Sequence, residues 1–300
     1  MKLTNRHGLA AAWEAAVKGS AEEYQKAGWL SCTTLIAPVR VGILRKRHDD
    51  EITEDVADRI WMLLGSAVHY VLHQASKDGQ AITEERFLIP IKGRDISMQP
   101  DRIEAIPGTN PPEFILRDFK TTSIWSVLLD TKKDWIAQLN VYAYGCRKLG
   151  VNVTQLVIEA LIKDWSYGDW MKDKERYPEC QIMAIPIQVW TDAQCEEYLN
   201  RRVSEFEAAW DRADADLPVC TPEERWARPD KWAVQKPGAA RATKVCDTRE
   251  EAERNAKPGM EIVHRPGADI RCERFCSVRK WCSYFASKQG VPVAESETPF

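Results

Sequence analysis

The apolar residues of this chain change their period several times, and those changes constrain its fold more than any other feature. Over residues 52–77, Ile60, Leu63, Leu64, Val68, Val71 and Leu72 recur at spacings of three and four, which predicts one or two helices. Three strand-like runs follow: 84–90 (EERFLIP), 96–106, which carries Asp101, and 114–121 (FILRDFKT). Pro111 and Pro112 mark the turn before the last of these. Helical spacing returns over 135–149 with Ile136, Leu139, Val141, Tyr142 and Tyr144, and 156–163 (LVIEALIK) reads as a fourth strand. A fifth strand is expected at 182–189 and an amphipathic helix at 191–213. Upstream, 8–28 reads as a helix with Leu9, Trp13, Ala16 and Val17 on one side, and Ser31 to Thr34 can cap a short helix starting near Leu35. A strand–helix–strand step needs a crossover connection, so the expected class is α/β, with a mixed central sheet flanked by helices. From about Leu217 the composition turns to Pro, Trp and charge. The expected division is a helical N-terminal segment over 1–50, a core over 51–216 and a C-terminal segment over 217–300.

Composition narrows the partners. With 44% hydrophobic and 29% charged residues, a disordered chain is excluded. The 12 tryptophans are expected in the core or along a groove. Forty-two Lys and Arg against 45 Asp and Glu give a net charge of −3, so no bulk field draws this chain to nucleic acid. Any such contact needs a local patch. Two runs offer one: Arg40, Arg45, Lys46 and Arg47, and later Arg271, Arg274, Arg279 and Lys280; each also fits a solvated helix face. The N-terminal residues hold no sustained apolar stretch, and none of the roughly 18 residues needed to span a bilayer occurs. The expectation is a cytoplasmic protein without a membrane segment, whose nine cysteines are not a disulfide framework.

One constellation carries chemistry. Pro100-Asp101 is followed 17 positions later by Asp118-Phe119-Lys120, each on an expected strand. Adjacent strands can bring Asp101 and Asp118 together, and close carboxylates repel unless a cation sits between them. Two carboxylates suit a Mg²⁺ that keeps several waters. Alternation turns Lys120 to the same face as Asp118, where an ammonium can orient a water and offset phosphate charge. An isolated Asp-x-Lys on an edge strand is commonly no more than a solvated ion-pair face. Gly65-Ser66-Ala67-Val68-His69 adds small residues that permit close packing and an imidazole for the metal. Gln138 and Tyr142, four apart on a helix, add two polar tips that can reach a phosphate or the site waters.

In this order GSAVH, PD, DFK and QLNVY resemble the RecB-like branch of the PD-(D/E)XK nuclease superfamily, above all the CRISPR-associated and phage RecB-like exonucleases and the AddB nuclease domain. The likeness spans roughly residues 30–165 and returns at 272–282. It implies a restriction-endonuclease-like core and an enzyme that cleaves DNA with Mg²⁺ or Mn²⁺. It also implies His69, Asp101 and Asp118 as metal ligands, and Asp101, Asp118, Lys120, Gln138 and Tyr142 as the catalytic set. The expected activity is a DNA nuclease, an exonuclease on ends or single strands, in recombination, repair or phage DNA processing, with aromatic and arginine side chains stacking bases beside the groove. An annealing protein or helicase is the expected protein partner. The alternative is a non-catalytic nucleic-acid-binding accessory module, and a third reading, a metal-binding structural protein, leaves 65–142 unexplained.

The late cysteines Cys272, Cys276 and Cys282 are spaced for a metal centre in a reducing compartment, iron–sulfur or zinc, or else for a small reduced core. The resemblance implies a [4Fe–4S] cluster with one cysteine before the nuclease core and three after it. Ala37-Pro38 stands where the relatives carry Cys-Pro. Cys32 is therefore the expected fourth ligand, with Cys246 and His264 as alternatives, the last favouring zinc. Such a centre would staple the N-terminal helix to the C-terminal segment.

Overall fold

The computed structural model describes residues 2–22, 27–75, 81–129 and 133–289. The expected helices over 8–28 and 52–77 run into 23–26 and 76–77, which lie outside the described residues. The chain opens with β1 (Lys2–Thr4), α1 (Ala11–Glu22), β2 (Leu30–Ser31), α2 (Cys32–Ile36) and α3 (Val39–Arg47). β3 (Thr53–Asp55) leads through a short turn into α4 (Ile60–Ala75). Then come β4 (Ala81–Thr83), β5 (Phe87–Ile91), β6 (Arg94–Met98), β7 (Arg102–Ala105) and β8 (Phe114–Thr122). α5 (Trp125–Leu128) and α6 (Lys133–Lys148) precede β9 (Val153–Ile162), α7 (Tyr167–Lys172), β10 (Ile182–Ile187) and α8 (Asp192–Ala209). The remainder holds β11 (Ala227–Arg228), β12 (Lys231–Gln235), β13 (Lys244–Cys246), α9 (Arg249–Asn255), β14 (Glu261–Arg265), β15 (Ala268–Asp269) and α10 (Ser283–Gln289).

These elements form two compact units, Met1–Ala37 with Asp49–Asp211, and Pro38–His48 with Arg212–Phe300. The expected N-terminal segment over 1–50 is therefore not a body of its own: α1 and α2 belong to the first unit and α3 to the second. The expected boundary at 216/217 falls at 211/212. Among the described residues no helix is long and apolar enough to cross a membrane.

The first unit is a mixed α/β structure. Its main sheet has the order β10-β9-β8-β7-β4; only β8 and β9 run parallel, and α6 makes the crossover between them. Leu116 and Ile158 are fully buried on these two strands, and Leu139 and Val141 of α6 are buried with them. A second sheet, β2-β6-β5, packs near α6: a Cβ at Gly145 would meet Met98 Sδ and Phe87 Cε2, so only glycine lets α6 approach these strands. Ser31 caps α2 through Thr34, and Thr191 with Gln194 forms a capping box on α8.

One expected strand is divided and another starts late. The run 96–106 is β6 and β7 in different sheets, because Pro100 has no N–H to give a ladder and the chain turns at Gln99-Pro100-Asp101. Asp101 thus sits in the break, not within a strand. The run 84–90 begins its strand only at Phe87, since Glu84 takes a left-handed φ of 54°. Of the tryptophans, Trp135 is buried, whereas Trp13, Trp61, Trp125 and Trp226 are exposed.

The second unit contains a three-stranded antiparallel sheet, β13-β12-β14, with α9 between β13 and β14 in sequence. Val234, Cys246 and Ala252 form its small core, with Trp232, Met260 and Ile262 against it. β11 pairs with β15, so this excursion leaves and returns at the same place. The first expected basic patch is largely spent inside the unit. Arg40 is buried and donates to the Pro218 and Leu217 carbonyls and to Ser283 Oγ, while Arg47 and His48 both pair with Asp214. In the second, Arg271 and Arg279 donate to backbone carbonyls.

Candidate functional site

Three segments of the first unit converge: the middle of α4, the turn around Asp101, and the centre of β8. Alternation along β8 buries Leu116 and Asp118 toward α6 and leaves Phe119 on the opposite side. Asp118 is fully buried. Its Oδ1 accepts from Gln138 Nε2 at 3.1 Å, and its Oδ2 lies 2.6 Å from Lys120 Nζ, at an angle that makes an ion pair and not a hydrogen bond. Lys120 Nζ also donates to Gln138 Oε1 at 3.1 Å. One amide thus spans both members of the Asp-x-Lys pair. Gln138 Nε2 donates further to Tyr142 Oη at 3.3 Å, as their spacing on one helix face required.

Gln138 and Tyr142 do not reach outward as expected. Both are buried, and burial pushes the Tyr142 hydroxyl well above its ordinary pKa. They hold Asp118 and Lys120 in place from behind.

On the α4 side, His69 Nε2 lies 2.9 Å from the Phe119 carbonyl. A carbonyl only accepts, so Nε2 carries the proton and Nδ1 faces the site. Nδ1 lies 3.4 Å from Glu84 Oε1 and 3.6 Å from Asp101 Oδ1. Asp101 Oδ2 accepts from the Phe119 N–H at 2.7 Å. One ligand atom from each of His69, Glu84 and Asp101 lies within 4.8 Å of the other two. Asp118 stands next to this trio and acts on it by its charge. Burial, then that charge, pushes Asp101 up to about 7, and the bond to Glu84, with the charge of Asp101 behind it, raises His69. Protons are held here because carboxylates are both buried and crowded, and a divalent cation would relieve both. The donor set, one imidazole nitrogen and carboxylate oxygens, fits Mg²⁺ or Mn²⁺.

Glu84 is the site residue that sequence reasoning missed. Its backbone N–H donates to the Asp101 carbonyl at 3.3 Å, and Gln99 Nε2 donates to its Oε2 at 3.0 Å. Arg86 in turn donates to Gln99 Oε1. A left-handed glutamate costs about 1–3 kcal/mol, and the turn it makes sets its carboxylate beside His69 Nδ1. That signal is conformational and has no trace in the run EERF. The expected close packing at Gly65 is also absent: a Cβ there would meet no atom within 4 Å.

The second unit holds another constellation. Cys220, Cys272, Cys276 and Cys282 line one small cavity together with Arg40, Arg225 and Arg271. Arg40 Nη1 donates to Cys282 Sγ at 3.6 Å. Burial, aided by the neighbouring thiols, pushes Cys220 up to about 12 and Cys272 up to about 11. Cys32, expected as the fourth member, is not there. It is wholly buried in α2 of the first unit, where the charges of Asp118 and Lys120 reach it. Cys246 lies in the core of the small sheet, and His264 pairs with Asp230, so neither alternative holds. Cys220 lies 52 residues before Cys272 in sequence, and the β11–β15 pairing closes most of that gap.

A family model described as "Uncharacterized protein conserved in bacteria (DUF2188)" matches residues 225–274, which covers the small sheet and reaches Cys272. A search of the curated proteins finds no match. Among solved structures, the crystal structure of SSO0001 is similar at 17% sequence identity and a TM-score of 0.45, over 65% of this chain and 85% of that one.

Proposed function

We propose that the first unit is a metal-dependent nuclease that hydrolyses phosphodiester bonds in DNA. The observation that carries this reading is the convergence of His69 Nδ1, Glu84 and Asp101 beside a buried Asp118–Lys120 pair. A solvated ion-pair face would not crowd the buried Asp118 and nearly buried Asp101 against the half-buried Glu84 and His69, since crowded, poorly solvated negative charge is costly. His69, Glu84 and Asp101 would hold the ion, with Asp118 beside them. When bound, Mg²⁺ or Mn²⁺ supplies the Lewis-acid charge that favours attack at phosphorus. Lys120 Nζ lies between Asp118 and Gln138, where it can orient the attacking water and offset charge developing on the phosphate. Gln138 and the Phe119 carbonyl set the geometry, the first by fixing Lys120 and Asp118, the second by fixing the imidazole tautomer.

The four-cysteine cavity supports a second, structural metal centre. Cys220, Cys272, Cys276 and Cys282 would ligate it, and the neighbouring arginines would offset the negative charge of a thiolate-bound iron–sulfur cluster, with zinc as the alternative.

The test of the main reading is digestion of linear DNA by the purified protein with Mg²⁺ or Mn²⁺, set against the Asp118→Ala variant. Metal-dependent hydrolysis that the variant loses is the expected result. Wild-type protein that binds DNA but never cleaves it would favour the non-catalytic accessory module instead.

A further inference from the structure

We propose that the face of α4 between Trp61 and His69 is the path by which a single DNA strand reaches the carboxylate site, with its bases stacked on Trp61 and Trp125. The proposal rests on the nuclease reading and specifies its substrate.

Trp61, Gly65 and His69 stand at i, i+4 and i+8 and share one face of α4. The helix is tied down at both ends of this stripe. At one end His69 bonds the Phe119 carbonyl. At the other, Lys163 Nζ lies 3.9 Å from the centroid of the Trp61 ring, and the Lys163 N–H donates to the carbonyl of Thr122, the last residue of β8. The stripe therefore runs antiparallel to β8, from its end back to the site, over about 12 Å at 1.5 Å per residue.

Two features of this stripe and one beside it leave aromatic surface or open space facing solvent. Trp61 is 60% exposed although one ring face carries an ammonium. Trp125 is 64% exposed and sits at the same end of the sheet, because the N–H of its neighbour Ile124 donates to Asp164 Oδ1 at 2.7 Å. Gly65 lies mid-helix, where glycine is unfavourable, yet a Cβ there would meet nothing within 4 Å. It keeps the space beside His69 free of side chains, which is what a passing strand requires.

The chemistry selects the ligand. Glu84, Asp101 and Asp118 repel phosphate, and the chain as a whole is negative, so affinity must come from contacts near the site that do not depend on net charge. Aromatic rings backed by lysine offer this to unpaired bases, whose π-faces are open. Bases stacked inside a duplex present only their edges in the grooves and cannot lie on Trp61.

Binding is read by fluorescence anisotropy of a fluorescein-labelled oligodeoxynucleotide, single-stranded and as its duplex, in EDTA and again with Ca²⁺. Trp61→Ala is expected to weaken single-strand binding about 5- to 150-fold, the worth of one stacked base. Trp125→Ala should act in the same direction, and Trp61→Phe should restore most of the affinity. Gly65→Leu should block the strand while raising the unfolding temperature, since leucine is the better helix former; a loss of binding from misfolding would lower that temperature. The path is overturned if both tryptophan variants bind the single strand as the wild type does, if the duplex loses affinity equally, or if the wild type does not bind single strands. Cleavage with Mg²⁺ is measured separately. Trp61-dependent binding without hydrolysis would remove the nuclease reading and leave the path, whereas hydrolysis and binding indifferent to Trp61 would remove the path alone.

Discussion

Gln138 shows how much of this site hangs on single side chains. Its amide donates to Asp118 and accepts from Lys120, so one residue fixes both the position of the acid and the direction of the ammonium. If Lys120 acts as proposed, its ammonium works mainly in the transition state, so Lys120→Ala should lower kcat about 100-fold or more while leaving oligonucleotide affinity nearly unchanged. Separate single-turnover and binding measurements check this; weakened binding with an unchanged chemical step would reduce Lys120 to a phosphate contact. Glu84→Gln keeps the shape and removes a charge from the proposed ligand set. It should raise the Mg²⁺ concentration for half-maximal cleavage by about 10- to 100-fold, and a titration unchanged from wild type would take Glu84 out of the site. Asp55 supplies a pH prediction. The N–H of Arg6 holds its carboxyl well below the usual range, with Thr4 Oγ1, the Ala57 N–H and the Arg6 guanidinium adding to the effect. A carboxyl depressed in the folded state contributes stability above its unfolded pKa of about 3.9 and loses it as pH falls toward the folded value. The urea midpoint should therefore drop between pH 5 and pH 2 (about that range), and Asp55→Asn should flatten part of the drop.

At the scale of elements, the parallel β8–β9 pair and its crossover helix place the chemistry. α6 carries Gln138 and Tyr142 to the back of β8, and it packs against β5 and β6 because position 145 has no side chain. Gly145→Ala would ordinarily strengthen a helix. Here the added methyl would meet the Met98 sulfur and the Phe87 ring, so the variant should be destabilised by about 1–3 kcal/mol. Thermal unfolding checks it, and a stabilised variant would mean that α6 stands off from β5 and β6. Capping gives a contrast of sign and place: Thr191→Ala at the start of α8 should cost about 1 kcal/mol without touching cleavage.

For the whole molecule, the four-cysteine cavity is the feature that gathers the most distant parts of one unit. It joins residues of α3 to Cys220 and to the late cysteines, around an inserted small sheet. Cys220→Ser should lower bound iron and 400 nm absorbance (roughly, for thiolate-bound iron) in anaerobically purified protein, and should open 212–289 to protease. Cys32→Ser should leave the iron content unchanged. Stoichiometric zinc would replace the cluster, and protein free of both metals would remove this centre. The sequence by itself determined the α/β class and the helices around Leu139 and Leu199, because apolar period is a local property. It also paired Asp118 with Lys120 and Gln138 with Tyr142, because residues two apart on a strand or four apart on a helix must share a face. Only the tertiary structure decided that Glu84 joins His69 and Asp101, that Gln138 and Tyr142 point inward, and that Cys220 and not Cys32 lines the cavity with the late cysteines. Each of those depends on which turns bring distant segments together. Pro100 splits one apparent strand, Glu84 adopts a left-handed φ, and β11 meets β15 across about 40 intervening residues; such closures are set by the packing of the whole unit and leave no periodic mark in the chain.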